Sequence, residues 1–227
     1  FPGKTEICHR LEAVLRTLYL LFNEGYYSAS HNSTLRQDLC LEALRLTYLL
    51  IENEETNQPA VNALLSLMSF QSSRFAARTD HRGEAVLYDD QDTNLWDKAL
   101  IAQGEYFLNI ASRGDKLSKY HLEAGIAYWH TIKADTKEKW ENILQLYNHL
   151  LQVEYSPVAA LNRTYALSRA NGKAEAILEA QKLQLVHLPL YHVLLGELYT
   201  GMDNSKALCC FETALKLTNS DGDKKII

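Results

Sequence analysis

Apolar residues recur at the helical period along almost the whole chain. Between Glu6 and Asn23 they fall at Ile7, Leu11, Val14, Leu15, Leu18, Leu21 and Phe22, spacings of three and four that put one apolar stripe on a helix. Asn23-Glu24-Gly25 reads as its end, with Gly25 placed for a C-terminal cap. Thr34-x-x-Gln37 has the form of a capping box that opens a second helix through Leu39, Leu46 and Leu50. Pro59 suits the first turn of a third, carrying Val61, Leu64, Leu65, Met68 and Phe70. The rhythm then breaks. Residues 74–92 hold clustered charges around a short β-like run, Ala85-Val86-Leu87-Tyr88, and long ordered loops of this kind more often carry function than short ones. Periodicity returns at Leu95 and runs through Leu100, Ile101, Phe107 and Leu108 to the break at Arg113-Gly114-Asp115; Asp92 and Thr93 read as the cap of a helix starting at Asn94.

The C-terminal half carries a repeat. Val158-x2-Leu161-Asn162-x2-Tyr165 is followed by His192-x2-Leu195-Gly196-x2-Tyr199, each place at the same interval after its counterpart. That interval is the tetratricopeptide period of about 34 residues, and Trp-x2-Leu-Gly-x2-Tyr is the pattern of the repeat's first helix. In this register Ala174, Leu178 and Gln181 take the second-helix places, while Ala207, Phe211 and Ala214 match the second-helix pattern displaced by one residue. One period before Val158 lies Ala124, followed by Ala127 and Tyr128, which makes residues 138–152 a second helix. Trp140-x2-Ile143-Leu144-x2-Tyr147 imitates a first helix in a conflicting phase, and the phase shared by the later repeats is preferred. The expectation is an all-α fold: a tetratricopeptide-like helical-repeat array of about ten helices in antiparallel pairs. Residues 1–117 form an N-terminal helical part with the irregular loop near 74–92. Residues 118–227 form the repeats, packed with it as one unit because no repeat buries its apolar face alone.

Composition narrows the function classes. The 227 residues include only 10 Gly and 4 Pro, about half of average usage, too few for a turn-dense β-sandwich. The net charge of −5 argues against a nucleic-acid surface, and no run of eighteen apolar residues exists to span a membrane. Cys8, Cys40, Cys209 and Cys210 show no CxxC and no zinc spacing, so buried free thiols and an intracellular, cytoplasmic setting are expected. The start, Phe1-Pro2-Gly3, has neither Met nor a signal pattern and reads as a piece of something longer. None of the eight histidines lies in HExxH, and His121 and His130 are nine apart on different faces of one helix, so structural roles suit them. Asp90-x-Asp92-x-Asn94 imitates a calcium loop, but Leu95 and Ile101 stand where Gly and Glu are needed. No nucleophile triad, phosphate-cradling glycine loop or nucleotide fingerprint appears. No metal, no cofactor and no enzymatic activity are therefore expected. The cluster Arg74, Arg78, Asp80, Arg82, Glu84, Asp89, Asp90 and Asp92 suits an ion-pair network that pins its loop, or a polar ligand pocket.

Several segments together resemble a known family. They are LYLLFNEGY at residues 18–26, DLCLEALR at 38–45, ARTD at 77–80, DQDTNLWD at 90–97, SPVAALNR at 156–163, and Tyr191-His192. In this order they look like the C-terminal, tetratricopeptide-like extension of a subgroup of extracytoplasmic-function sigma factors of RNA polymerase, over residues 6 to 220. The resemblance implies a regulatory role in transcription initiation, exerted on promoter-reading regions 2 and 4, which this chain lacks, or on core RNA polymerase. A signalling protein or ligand would shift the bound population. It marks Arg78, Asp80, Asp90, Gln91, Asp92 and Trp96, with Arg74 beside them, as a structural or regulatory loop, and the acidic balance adds the expectation of no DNA binding by this chain itself. Two rivals remain: a free-standing tetratricopeptide adaptor that binds a peptide or protein partner, and a small-molecule sensor using the Arg/Asp loop.

Overall fold

Ten α-helices account for most of the chain in the computed structural model, which describes residues 4–27, 36–81, 85–219, 224 and 227. Among the described residues there is no strand, only an isolated bridge between Thr79 and Ala85. The all-α, helical-repeat expectation is therefore met. The chain divides into two compact units, residues 1–133 and 134–227.

The first unit holds α1 (Lys4–Tyr27), α2 (Gln37–Ile51), α3 (Pro59–Ser72), α4 (Lys98–Ala111) and α5 (Lys119–Trp129). Its centre is α3. Eleven of its 14 residues are buried, because α1, α2, α4 and α5 all pack on it; a helix apolar on every side has to be covered on every side. Two of its serines are satisfied within the helix layer. Ser69 Oγ donates to Leu65 O (2.7 Å), and Ser66 Oγ crosses to Gly104 O of α4 (2.7 Å).

Two local expectations are corrected. The first helix does not end at Gly25 but runs to Tyr27. Gly25 is a contact residue instead: a Cβ there would meet Arg36 O and Cys40 Sγ at 2.7 Å. The apparent cap is thus the place where α2 closes on α1, with Arg36 N donating to Gly25 O (2.8 Å). Thr34 of the expected capping box lies outside the described residues. The helix expected from Asn94 begins instead at Lys98, capped by Asp97, whose Oδ1 accepts from Ala99 N (2.9 Å) and Leu100 N (3.0 Å). Asp92 caps only the 3-10 turn Thr93–Leu95.

Helix α5 opens with a capping box in which His121 takes the place usually held by Glu or Gln. Its Nδ1 accepts from Ser118 N (3.1 Å), and its Nε2 lies 3.3 Å from Ala111 O. The Ser118 hydroxyl also lies 2.8 Å from Nδ1, and the whole arrangement fits the neutral ring with the proton on Nε2. The histidine is structural, as expected.

The second unit holds α6 (Lys137–Val153), α7 (Pro157–Asn171), α8 (Lys173–Leu183), α9 (Pro189–Tyr199) and α10 (Asn204–Leu217). Neighbours pack in chain order, and α7 also touches α9, one repeat on. Pro157 and Pro189 start their helices, and Gly172 (φ 109°) and Gly201 (φ 80°) make the turns within the two pairs. Leu161 and Leu195, one period apart, are both buried, as the repeat requires. The register of the second helices differs from the expected one. Leu178 is 61% exposed, whereas Ile177 and Ala180 are buried, one full period before Phe211 and Ala214. The period is unbroken between α8 and α10, and the one-residue displacement disappears. Trp140 of α6 is fixed edge-on to Tyr165 (5.6 Å) and donates its Nε1–H to Asp135, which also pairs with Arg169.

Two outcomes follow from this packing. A Cβ on Gly104 would stand 2.6 Å from the ring of fully buried Phe70, and one on Gly196 would stand 2.7 Å from Phe211, which is only partly buried. Gly104→Ala should destabilise the first unit in urea by about 1–3 kcal/mol through overpacking. Gly196→Ala should be near neutral, because Phe211 can swing aside and alanine gains about 1 kcal/mol of helix propensity. His121 supplies a pH dependence. Burial is the main cause that pulls its affinity for a proton below the ordinary value of 6.5, against two backbone hydrogen bonds. The unfolded chain takes up the proton first as pH falls, so stability present above 6.5 is lost from there down to the folded value. Urea midpoints measured across that range should fall with pH, and His121→Gln should flatten the slope.

Candidate functional site

The irregular segment begins where α3 runs out. Ser73 Oγ donates to Phe70 O (2.7 Å), and the 3-10 turn Phe75–Ala77 tucks Phe75 and Ala77 into the core. The chain doubles back through the Thr79–Ala85 bridge, closed by Val86 N donating to Arg78 O (2.9 Å). The expected β-like run is no more than this bridge; it passes into a 3-10 turn at Tyr88–Asp90. After the second turn, Asp97 N donates to Ser73 O (2.8 Å), which ties the strap 85–97 back to the end of α3. Both ends of the segment are thereby fastened to the end of α3.

Tyr88 anchors the strap. Its hydroxyl donates to His130 O (3.1 Å), and its ring meets the His130 ring edge-on at 5.3 Å. Lys133 Nζ donates to Tyr88 O (2.6 Å) and Asp89 O (2.9 Å) and lies 4.7 Å from the Tyr88 ring centre. The indole of Trp96, 5% exposed, packs at 6.2 Å against the same ring. The sequence reading marks neither Tyr88, His130 nor Lys133 for this site. Tyr88 carries a signal in the apolar run Ala85–Tyr88; Lys133 carries none, because it comes far later in the chain.

The structure brings some of the expected residues together and separates others. Arg74 donates to the Tyr26 hydroxyl (3.2 Å) and stands 5.6 Å from the Tyr88 ring centre. Arg78 donates to Tyr26 O (3.2 Å) and lies over the Tyr26 ring at 3.8 Å. Tyr26 belongs to the last turn of α1, so Arg78 serves a carbonyl at the end of that helix. Gln91 is buried and reaches Val86 O at 3.4 Å. Asp80 is half-buried, while Asp90 and Asp92 are exposed, Asp92 accepting from Asn94 N (2.9 Å). Arg82 and Glu84 lie outside the described residues. Among the described residues, then, the two arginines rest on tyrosines, and no ion pair joins either to Asp89, Asp90 or Asp92.

This seam is also where buried polar atoms lack hydrogen-bond partners. Gln71 Oε1, Ser72 Oγ, Arg74 Nε, Gln91 Oε1 and Trp96 Nε1 are all of this kind, against Asn62 Oδ1 elsewhere. Burial pushes the Cys40 thiol up to about 12, outweighing the pull of the Arg78 guanidinium. Among the described residues no three His, Cys, Asp or Glu side chains gather as a metal site would need. No described helix is long and apolar enough to cross a membrane.

Comparison with known proteins gives two matches. A family model described as a family of unknown function (DUF6596) matches residues 10–112, a span that holds the whole strap. A protein of Rhizobium meliloti (strain 1021), named only as uncharacterized, is 33% identical over 231 residues. That match takes in all of this chain and 54% of the relative, so the chain spans about half the relative's length. No solved structure matches.

The anchor yields a direct test. Tyr88→Phe keeps the ring but removes the hydroxyl that reaches the end of α5, which should cost about 0.5–1.5 kcal/mol in urea unfolding. With Trp129 and Trp140 replaced by Phe in the background, Trp96 should then become more open to acrylamide quenching. Unchanged stability and quenching would remove Tyr88 as the anchor.

Proposed function

We propose that this chain is a regulatory protein-interaction domain acting with an RNA polymerase sigma factor, modulating initiation by contact with promoter-reading regions 2 and 4 or with core polymerase. The observation that carries this reading is the family match: the matched domain is one often found with sigma factors, and the ARTD and DQDTNLWD motifs both fall within it. The helical architecture supports contact as the mode of action. The second unit leaves Leu178 of α8 and Leu208 of α10 each 61% exposed. The net charge of −5 supports a division of labour in which DNA is read by other regions. On this reading the domain has no chemistry of its own, works in the cytoplasm beside polymerase, and is biased by a signalling protein or ligand that binds one of its states better.

The test is a low-salt pull-down of this chain with separately expressed sigma regions 2 and 4 and with core polymerase, alongside a gel shift of the chain on promoter DNA. Retention of at least one protein partner is expected, with no shift of the DNA. Retention of neither partner would sink the reading, and a salt-sensitive DNA shift by this chain alone would contradict the division of labour.

A further inference from the structure

Arg74 and Arg78 flank the turn Phe75–Ala77 and converge on one residue, Tyr26. Arg74 uses its hydroxyl; Arg78 uses its carbonyl and lies on its ring. Two permanent positive charges are thus gathered on one phenol. Asp89, Asp90 and Asp92 share their loop, yet among the described residues none of the three forms an ion pair with either guanidinium. Each guanidinium carries five N–H donors and no acceptor, more than the contacts with Tyr26 use. Capping α1 accounts for Arg78 alone. Arg74 has no such task, and its Nε is buried without a partner.

We propose that Arg74 and Arg78 form a receptor for an oxyanion carried by a small molecule, a carboxylate or a phosphate held between the two guanidinium forks on the Tyr26 platform. Planar forks bind such groups through paired, charge-assisted hydrogen bonds, and Tyr26 holds one fork in place before any ligand arrives. Trp96, 5% exposed, offers a second buried N–H without an acceptor and packs on the Tyr88 ring that Arg74 faces. The inference stands apart from the transcription reading and survives its failure.

Inorganic phosphate and citrate, titrated separately at constant ionic strength into the full 15N-labelled chain, test it. The Nε–H signals of Arg74 and Arg78 should shift saturably with at least one of them. Those of Arg10 and Arg45, paired within their own helices, should stay in place. The thermal midpoint should rise with ligand as binding to the folded state requires. A response to phosphate alone assigns a phosphate group, and one to citrate alone a carboxylate. Arg74→Gln should weaken binding at least about tenfold, the worth of one charge-assisted hydrogen bond. Arg74→Lys keeps the charge and loses the fork, so it should also weaken binding, and it serves if the glutamine variant does not fold. No saturable shift with either anion, an equal drift of every arginine, or unchanged affinity in a folded Arg74 variant would overturn the proposal.

Discussion

The first unit depends on the close approach of α3 and α4 at Gly104. Phe70 lies against this glycine where a methyl would stand 2.6 Å from its ring, and Ser66, one turn earlier, donates to the glycine's own carbonyl at 2.7 Å. One position without a side chain therefore settles both the apolar contact and the polar one between these helices. With α4 this near, α1, α2 and α5 can cover the remaining sides of α3. A helix with eleven of 14 residues buried has no other stable setting.

The strap inherits its position from that helix. The irregular segment leaves the end of α3 at Ser73 and returns to the same residue through Asp97 N. Between those points Tyr88 fastens it to the end of α5, while Arg74 and Arg78 reach Tyr26 at the end of α1. Three helix ends thus meet under one segment, and aromatic rings link them. Cations on aromatic faces hold such a segment without the full desolvation that a buried ion pair would demand. The guanidinium edges keep donors to spare, which is what gives the segment a capacity to bind as well as to brace.

The helices are legible in the sequence because periodicity reports burial of a stripe, and the repeat period places α7 to α10 without any knowledge of contacts. The errors arise where long-range packing overrides a local signal. Gly25 has the look of a cap, but its missing side chain answers to Cys40 and Arg36 at the next helix, which no local pattern reveals. Leu178 looks like an inside residue because it is large and near the expected register, while the period itself, carried back from Phe211 and Ala214, selects Ile177 and Ala180. Within the loop, the charged residues draw attention through their density and suggest an ion-pair network. The partners that the structure gives the arginines and the strap are Tyr26, far earlier in the chain, and Lys133, far later. Pairings at that separation leave no trace in spacing. Trp96 is found through its motif, and its burial against Tyr88 becomes visible only in the fold.

The central claim is an order of stability: α3 is the centre on which the strap closes, and the strap, seated over buried polar atoms without partners, is the weaker element. Native-state hydrogen exchange of the intact chain tests this most directly. The account predicts that amides of α3 exchange only when the first unit unfolds as a whole. Those of residues 85–97 should exchange through a separate, lower-energy opening that leaves α3 protected. Exchange of the strap and α3 in a single step, or loss of protection in α3 first, would contradict it.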